Sequence, residues 1–149
     1  MTERRKGKDQ ARKEIGFKIV ASDISEDTIS IAKKNAQTAG VDHLIEFAVC
    51  DFADTEIPEQ PGIVIFNPEY GERLGVHSKL EATYKRMGDF MKQQCKGYRG
   101  YIFTGNPELA KKIGLRTSRR LEFYNGKLDC RLLEYELYEG SKREPKANE

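Results

Sequence analysis

Short apolar runs alternate with helical patterns along this chain of 149 residues, and that alternation restricts its fold more than any other feature. Between the runs lie segments with apolar residues at helical spacing. Strands separated by helices favour a parallel sheet, because a crossover helix returns the chain to the edge where the previous strand began. We therefore predict an α/β fold. The predicted strands, rich in β-branched residues, are 17–23, 45–51, 62–67 and 100–106.

Capping residues mark the ends of the predicted helices. The helix after the first strand starts at Ser25, a good N-cap, and stops at Gly40, which readily adopts a left-handed backbone. A second helix is predicted over residues 78–95, and a short third helix begins at Pro107 and ends at Gly114. Apolar spacing predicts the buried side of the first helix (Ile29, Ile31, Ala32, Ala36 and Ala39) and of the second (Leu80, Tyr84, Met87, Phe90 and Met91).

The last strands are predicted to form a hairpin. Residues 119–138 alternate apolar and polar side chains around the dipeptide Asn125-Gly126, which suits the positive φ values of a type I′ turn. The hairpin would finish a mostly parallel sheet with an antiparallel pair. Residues 139–149 are charged and are predicted to be a frayed tail.

Composition excludes several classes of protein. No apolar run approaches the roughly 20 residues of a membrane span, and residues 1–14 lack the apolar segment of a secretory signal. The three cysteines, Cys50, Cys95 and Cys130, are odd in number and too scattered for a C-x-x-C metal site. We predict reduced thiols in a cytoplasmic protein with no metal and no membrane contact. A net charge of +2 does not by itself indicate a nucleic-acid partner.

Three predicted strands end in polar side chains: Asp23, Asp51 and Asn67. Ligands of open parallel sheets bind beyond the carboxyl ends of the strands. A carboxylate there can accept both hydroxyl protons of a ribose, and a second carboxylate can accept from an amine such as that of adenine. Either acid alone would be read as a turn cap. The two acids in matching positions, with Asn67-Pro68 on a third strand, favour a cofactor that contains a nucleoside.

The order of these motifs resembles a known family. Strand-end acids followed by "NPEYGERLG" at 67–75 are similar to class I S-adenosylmethionine-dependent methyltransferases that modify amino groups. The match continues through "NGKLDC" in the hairpin, and this longer match resembles bacterial large-subunit ribosomal-RNA guanine-N2 methyltransferases, whose sequences are often labelled adenine-specific DNA methylases. It runs from about residue 10 to about residue 138 and implies a partial Rossmann-like methyltransferase sheet.

The resemblance implies a cofactor site for S-adenosyl-L-methionine. Asp23 would hold the ribose hydroxyls of the cofactor. Asp51, with Phe52 stacking, would hold its adenine. Asn67 would also bind the cofactor.

The resemblance also implies a substrate site, which we call the amino-group clamp: Asn67, the carbonyl of Pro68, and Tyr70. An exocyclic amine is a poor nucleophile because its lone pair is delocalised into the ring. Two acceptors aimed at its hydrogens would turn the lone pair towards the methyl carbon, and holding donor and acceptor in line would supply most of the rate. Tyr70 would stack on the base extracted from the RNA.

Two departures from the family pattern are present. Glu69 stands where the family usually has a second proline, which restricts the backbone. No acidic, Gly-rich cofactor loop occurs in the 149 residues, and the strand that precedes this loop is central in the family's sheet. We therefore expect residues 1–138 to be a truncated catalytic domain, completed by an upstream domain or a second chain. Alone, it should methylate RNA poorly or not at all.

Three functions are compatible with the sequence. The first is methyl transfer to an amino group of ribosomal RNA, with guanine N2 as the favoured target. The second is a non-catalytic RNA-binding or assembly module that has kept the base pocket. The third is adenine-N6 methylation of DNA, because the clamp recognises an amino group and does not distinguish the two bases.

Overall fold

A computed structural model of the protein describes residue 10 and residues 12–59, 61–69, 77–125 and 128–138. The chain forms two compact units, Met1–Pro58 and Glu59–Glu149. The described strands form two sheets, one of two strands and one of four. The predicted α/β class is confirmed, and each predicted strand and helix is present with its ends shifted by at most two residues, except that the third helix is α-helical only over Pro107–Ala110 and continues as a 3-10 turn to Ile113.

The first unit is a parallel strand pair joined by one helix. Strand β1 (Ile19–Asp23) pairs with β2 (Ile45–Val49), and helix α1 (Glu26–Ala39) with a short 3-10 turn (Asp42–Leu44) connects them. The predicted ends of α1 are confirmed. Ser25 Oγ accepts a hydrogen bond of 3.2 Å from the amide of Thr28.

The predicted buried side of α1 is partly wrong. Ile29 and Ala36 are buried, but 60% of Ile31 is exposed. Two residues along a helix turn the side chain by about 200°, so Ile31 points away from the side that carries Ile29. The side of α1 that packs against the unit carries residues 29, 32 and 36. Ile31 and Ala39 lie outside this side.

The second unit holds a mixed sheet in the order β3-β4-β6-β5. Strand β3 runs parallel to β4, and β6 lies antiparallel between β4 and β5. The predicted antiparallel pair at the end of the chain is therefore confirmed, while Gly126 of its predicted turn lies outside the described residues. The strands are β3 (Ile63–Phe66), β4 (Arg99–Thr104), β5 (Arg119–Asn125) and β6 (Leu128–Glu136).

Helix α2 (His77–Gln94) connects β3 to β4 and supplies much of the core. Its whole predicted apolar side is buried: Leu80, Tyr84, Met87, Phe90 and Met91. The short helix α3 (Pro107–Ala110) runs into a 3-10 turn (Lys111–Ile113) that contacts α2. A Cβ on Gly88 of α2 would lie 1.8 Å from the carbonyl oxygen of Ile113, so only glycine allows this approach.

The edges of β1 and β3 bear on the predicted absence of a central strand. Within the described ranges, β1 is paired with β2 alone and β3 with β4 alone. The described residues do not build a seven-stranded sheet. On β3, Ile63 is 68% exposed and Ile65 64% exposed, which is unusual for a parallel strand.

Membrane spans and disulfides were the features considered in the composition. No helix in the described part of the chain is long and apolar enough to cross a membrane. The cysteines form no disulfide; Cys95 and Cys130 are buried and Cys50 is partly exposed.

Candidate functional site

Asp23 and Asp51 lie at the same edge of the first unit's sheet. Asp23 is the last residue of β1 and is paired in register with Val49, the last residue of β2. The amide of Cys50 donates a hydrogen bond of 3.0 Å to the carbonyl of Asp23, so the ladder continues one step past the final pair. Asp51 follows directly. Both acids are partly buried, and the arrangement is the one that the strand-end argument requires.

Each acid also caps the turn that follows it. The amide of Ser25 donates to Asp23 Oδ1 at 2.8 Å, and the amide of Ala53 donates to Asp51 Oδ1 at 2.9 Å. The turn-cap interpretation is therefore correct for both residues. A carboxylate has two oxygens and about four acceptor positions, so a capping bond to one oxygen orients the group and is compatible with ligand binding.

A pair of hydroxyls ties β1 to the turn that carries Phe52. Ser22 Oγ and Thr55 Oγ1 lie 2.7 Å apart, and the amide of Thr55 donates to the carbonyl of Phe52 at 3.1 Å. Phe52 begins a 3-10 turn, Phe52–Asp54, and is partly buried. These hydroxyls were not predictable from the sequence, because serine and threonine near a turn carry no specific signal.

Asn67 directly follows β3 in the second unit. The Asn67 side chain is exposed, Pro68 is partly buried, and the side chain of Glu69 is exposed. Tyr70, the third member of the amino-group clamp, lies outside the described residues. Asn67 occupies the carboxyl end of a parallel strand, as predicted. Its convergence with Asp23 and Asp51 stays a prediction.

A buried hydroxyl reaches this segment from α2. Tyr84 Oη donates a hydrogen bond of 2.9 Å to the carbonyl of Glu69 and lies 2.8 Å from Thr104 Oγ1. Tyr84 is fully buried, and that burial raises the pKa of its hydroxyl, although the hydrogen bond with Thr104 acts in the opposite direction. The group is therefore protonated, and able to donate, at neutral pH.

One buried carboxylate lies outside the predicted site. Glu134 on β6 accepts hydrogen bonds from the hydroxyl of Tyr101 at 2.7 Å and from that of Ser118 at 3.1 Å. The Tyr101 hydrogen bond is the largest of the effects that lower the pKa of Glu134, with Arg119 and Arg99 contributing in the same direction. The described residues contain no group of three or more acids, histidines or cysteines that would hold a metal ion.

A family model and a curated relative match most of the chain. The model described as "RMKL-like, methyltransferase domain" (UPF0020) covers residues 1–134. The Ribosomal RNA large subunit methyltransferase K/L of Syntrophotalea carbinolica is 37% identical over 136 residues, which are 86% of this chain and 19% of that protein. The chain spans less than a third of the length of the curated relatives that it matches.

Solved structures match the fold. SMU.472, crystallised in complex with SAH, superposes with a TM-score of 0.79 at 25% identity, over 92% of this chain and 36% of that one. A predicted N6-adenine-specific DNA methylase from Listeria monocytogenes superposes with a TM-score of 0.69 at 29% identity, over 80% of this chain and 30% of that one.

Proposed function

We propose that this chain, which belongs to the UPF0020 family of RMKL-like methyltransferase domains, is part of the catalytic domain of an S-adenosylmethionine-dependent methyltransferase that acts on RNA. The observation that carries the proposal is the position of Asp23 and Asp51 at the carboxyl edge of adjacent parallel strands. That is where a sheet of this class binds a nucleoside. The favoured target is guanine N2 of large-subunit ribosomal RNA.

The residues at this edge suit the cofactor. Asp23 would accept from the two ribose hydroxyls, since its capping bond from the Ser25 amide fixes the direction of the carboxylate. Asp51 would accept from the adenine amine, and Phe52 would contact the adenine ring. When bound, S-adenosyl-L-methionine supplies a methyl group on a sulfonium centre. The presence of SAH in the structure of SMU.472 supports this choice.

The amino-group clamp would orient the acceptor. The Asn67 side-chain oxygen and the carbonyl of Pro68 would each accept one hydrogen of the exocyclic amine. This directs the nitrogen lone pair out of the ring plane without a strong base. Tyr70 would stack on the base once it has left its neighbours. Asn67 would also contact the cofactor.

The choice of RNA over DNA rests on relatives. The name of the Syntrophotalea protein specifies large-subunit ribosomal RNA, which supports ribosomal RNA as the substrate. The Listeria structure favours a second candidate, adenine-N6 methylation of DNA. Both products come from attack by an amino group, so the same residues would serve either reaction.

The sheet edges support a partner segment. Ile63 and Ile65 on β3 are largely exposed, and no described strand pairs with the second edge of β3. A strand supplied by an upstream domain or a second chain would satisfy that edge. We propose that the same segment brings the Gly-rich cofactor loop.

A transfer assay tests the proposal. The 149-residue chain is incubated with tritiated S-adenosylmethionine and unmodified ribosomal RNA, alone and with a family segment that carries the Gly-rich loop. We expect methyl transfer in the mixture and N2-methylguanosine in the digested RNA. Asn67→Ala should lower the rate about 100-fold, while Asn35→Ala, an exposed asparagine of α1, should leave it unchanged.

Each other outcome has a distinct meaning. N6-methyladenine formed from DNA, with no product from RNA, would establish the second candidate. If the complete mixture bound RNA but transferred no methyl group to either nucleic acid, the chain would be the non-catalytic module.

A further inference from the structure

We propose that Tyr84 is a positioning residue for the segment Asn67–Glu69, acting with Thr104 through a directed chain of hydrogen bonds. The contact lies wholly within the second unit. The hydrogen-bond geometry is independent of the proposed function, whereas the effect of Tyr84 on methyl transfer rests on that function. Tyr84 does not belong to the clamp, because its hydroxyl reaches the backbone of Glu69 and is itself buried.

The number of hydrogens on each group fixes the direction of every hydrogen bond in the series that links Asn106, Thr104, Tyr84 and Glu69. A tyrosine hydroxyl has one hydrogen, and Tyr84 donates it to the carbonyl of Glu69. In its contact with Thr104, 2.8 Å away, the Tyr84 oxygen must therefore accept. The Thr104 oxygen in turn accepts from the amide of Asn106 at 3.1 Å. The order is Asn106 N–H to Thr104, Thr104 to Tyr84, and Tyr84 to Glu69.

A series of hydrogen bonds restrains the Glu69 carbonyl more firmly than a single hydrogen bond does. Each hydroxyl both donates and accepts, and hydrogen bonds in series polarise one another in a buried setting. Tyr84 is 0% exposed and Thr104 is 3% exposed, so packing holds both side chains and water does not compete for them. The two residues come from different elements, the middle of α2 and the last position of β4. The Glu69 carbonyl is thus tied to the core of the unit.

The segment is held at both of its ends by the same helix. Phe66, which precedes Asn67, packs edge-on against Phe90 of α2 with ring centroids 6.1 Å apart. Glu69 is bonded to Tyr84 of the same helix. Asn67 and the carbonyl of Pro68 lie between these two contacts. Their position is therefore set by α2, although neither residue belongs to a regular element.

This arrangement is compatible with a glutamate at position 69. A second proline would restrict the backbone through its ring, whereas here a hydrogen bond to the carbonyl restricts it from outside. The bond is made to the main chain and is independent of the side chain at that position. The exposed Glu69 side chain leaves the contact undisturbed.

Carbonyl NMR on the 149-residue chain tests the contact without any need for activity. The chain contains two Glu-Tyr dipeptides, at 69–70 and 134–135. Carbonyl-¹³C glutamate combined with ¹⁵N tyrosine therefore selects two carbonyl signals, those of Glu69 and Glu134. The Glu134 carbonyl is bonded to the amide of Ser118 at 2.8 Å and serves as an internal reference.

Four variants distinguish the loss of the Tyr84–Glu69 hydrogen bond from a general loosening of the second unit. Tyr84→Phe should move the Glu69 signal upfield and leave the Glu134 carbonyl in place. Thr104→Val should give a smaller displacement, and Thr104→Ser should restore the original signal because it keeps the hydroxyl. Tyr101→Phe, which removes a hydroxyl hydrogen bond from the same sheet, should not move Glu69. An unchanged Glu69 signal in Tyr84→Phe would overturn the inference.

A kinetic comparison in the transfer mixture tests the consequence. Tyr84→Phe should lower kcat about 10-fold with a much smaller change in the KM for S-adenosylmethionine, because the segment carries the clamp that aligns the acceptor, and only Asn67 in it would contact the cofactor. Thr104→Ser and Tyr101→Phe should keep kcat. An equal kcat for Tyr84→Phe would refute the positioning role. If the unsubstituted protein transfers no methyl group, the proposed function fails, while the carbonyl signals still decide whether Tyr84 holds the segment.

Discussion

The carbonyl of Asp23 accepts a hydrogen bond of 3.0 Å from the amide of Cys50. This bond joins the chain just past β1 to the chain just past β2. It therefore fixes the offset between Asp23 and Asp51, the neighbour of Cys50. The two acids are held as a pair by main-chain geometry, and a change in either side chain should not separate the strands.

The first prediction separates ligand binding from turn capping at Asp23. Asp23→Asn keeps an oxygen that can accept from the Ser25 amide but removes the charge. We expect affinity for S-adenosylmethionine to fall about 10- to 100-fold, the usual effect of losing a charged hydrogen-bond acceptor. Calorimetry in the presence of the Gly-rich segment measures it. Asp27→Asn, an exposed acid of α1, is the matched control, and equal affinities for both variants would contradict the assignment.

The second prediction concerns Gly88. Replacing a helical glycine with alanine ordinarily stabilises a protein by up to about 1 kcal/mol. Here the new Cβ would lie 1.8 Å from the carbonyl oxygen of Ile113. We expect Gly88→Ala to lower the free energy of unfolding by about 2 kcal/mol or more, measured by urea denaturation.

Gly62→Ala is the control for that substitution. Its Cβ would come no nearer than 4.0 Å to Tyr98, so a change of only a few tenths of a kcal/mol is expected. A stabilised Gly88→Ala protein would mean that α2 does not approach the 3-10 turn as closely as described.

The third prediction uses pH and Glu134. Hydrogen bonding lowers the pKa of this carboxyl from its ordinary 4.5. A lowered pKa in the folded state stabilises the fold above about pH 4.5, and the contribution is lost as pH falls towards the folded-state pKa. Glu134→Gln should therefore lower Tm at pH 7 more than at pH 3.5. An equal change in Tm at the two pH values would contradict this role of Glu134.

The fourth prediction concerns thiol reactivity. Burial raises the pKa of Cys95 to about 11 from 9.0, which reduces its thiolate fraction at pH 8 about 100-fold. Cys130 is equally inaccessible, whereas Cys50 is partly exposed. Ellman's reagent should label one thiol quickly in the native protein and all three in urea. Cys50→Ser should abolish the fast reaction. Rapid labelling of two thiols would show that the core of the second unit opens readily.

The elements that were predictable from sequence depend on local signals. Ser25 and Gly40 mark the ends of α1, because a cap needs only neighbouring backbone groups. The burial of Tyr84 was also predictable from helical spacing. Its role was not, since its partners lie 15 and 20 residues away in the sequence. Helical spacing predicts that a side chain is inside but not what its hydroxyl meets there.

The error at Ile31 has a different origin. The residue is apolar and stands two positions from Ile29, which suggests the same side of the helix only if the rotation of about 200° between the two positions is neglected. The strand-end acids were predictable because parallel strands bring their carboxyl ends to one edge. The hydroxyl pair of Ser22 and Thr55 was not, because it depends on how the chain after β2 folds back.

The strand order of the second unit has a consequence for how the protein is made. Strand β6, which leaves the ribosome after β4 and β5, lies between them and pairs with both. In the described sheet β5 has no other partner. A nascent chain that has exposed β5 but not β6 therefore carries β5 as an unpaired strand. During this interval the growing polypeptide is exposed to aggregation and to chaperones.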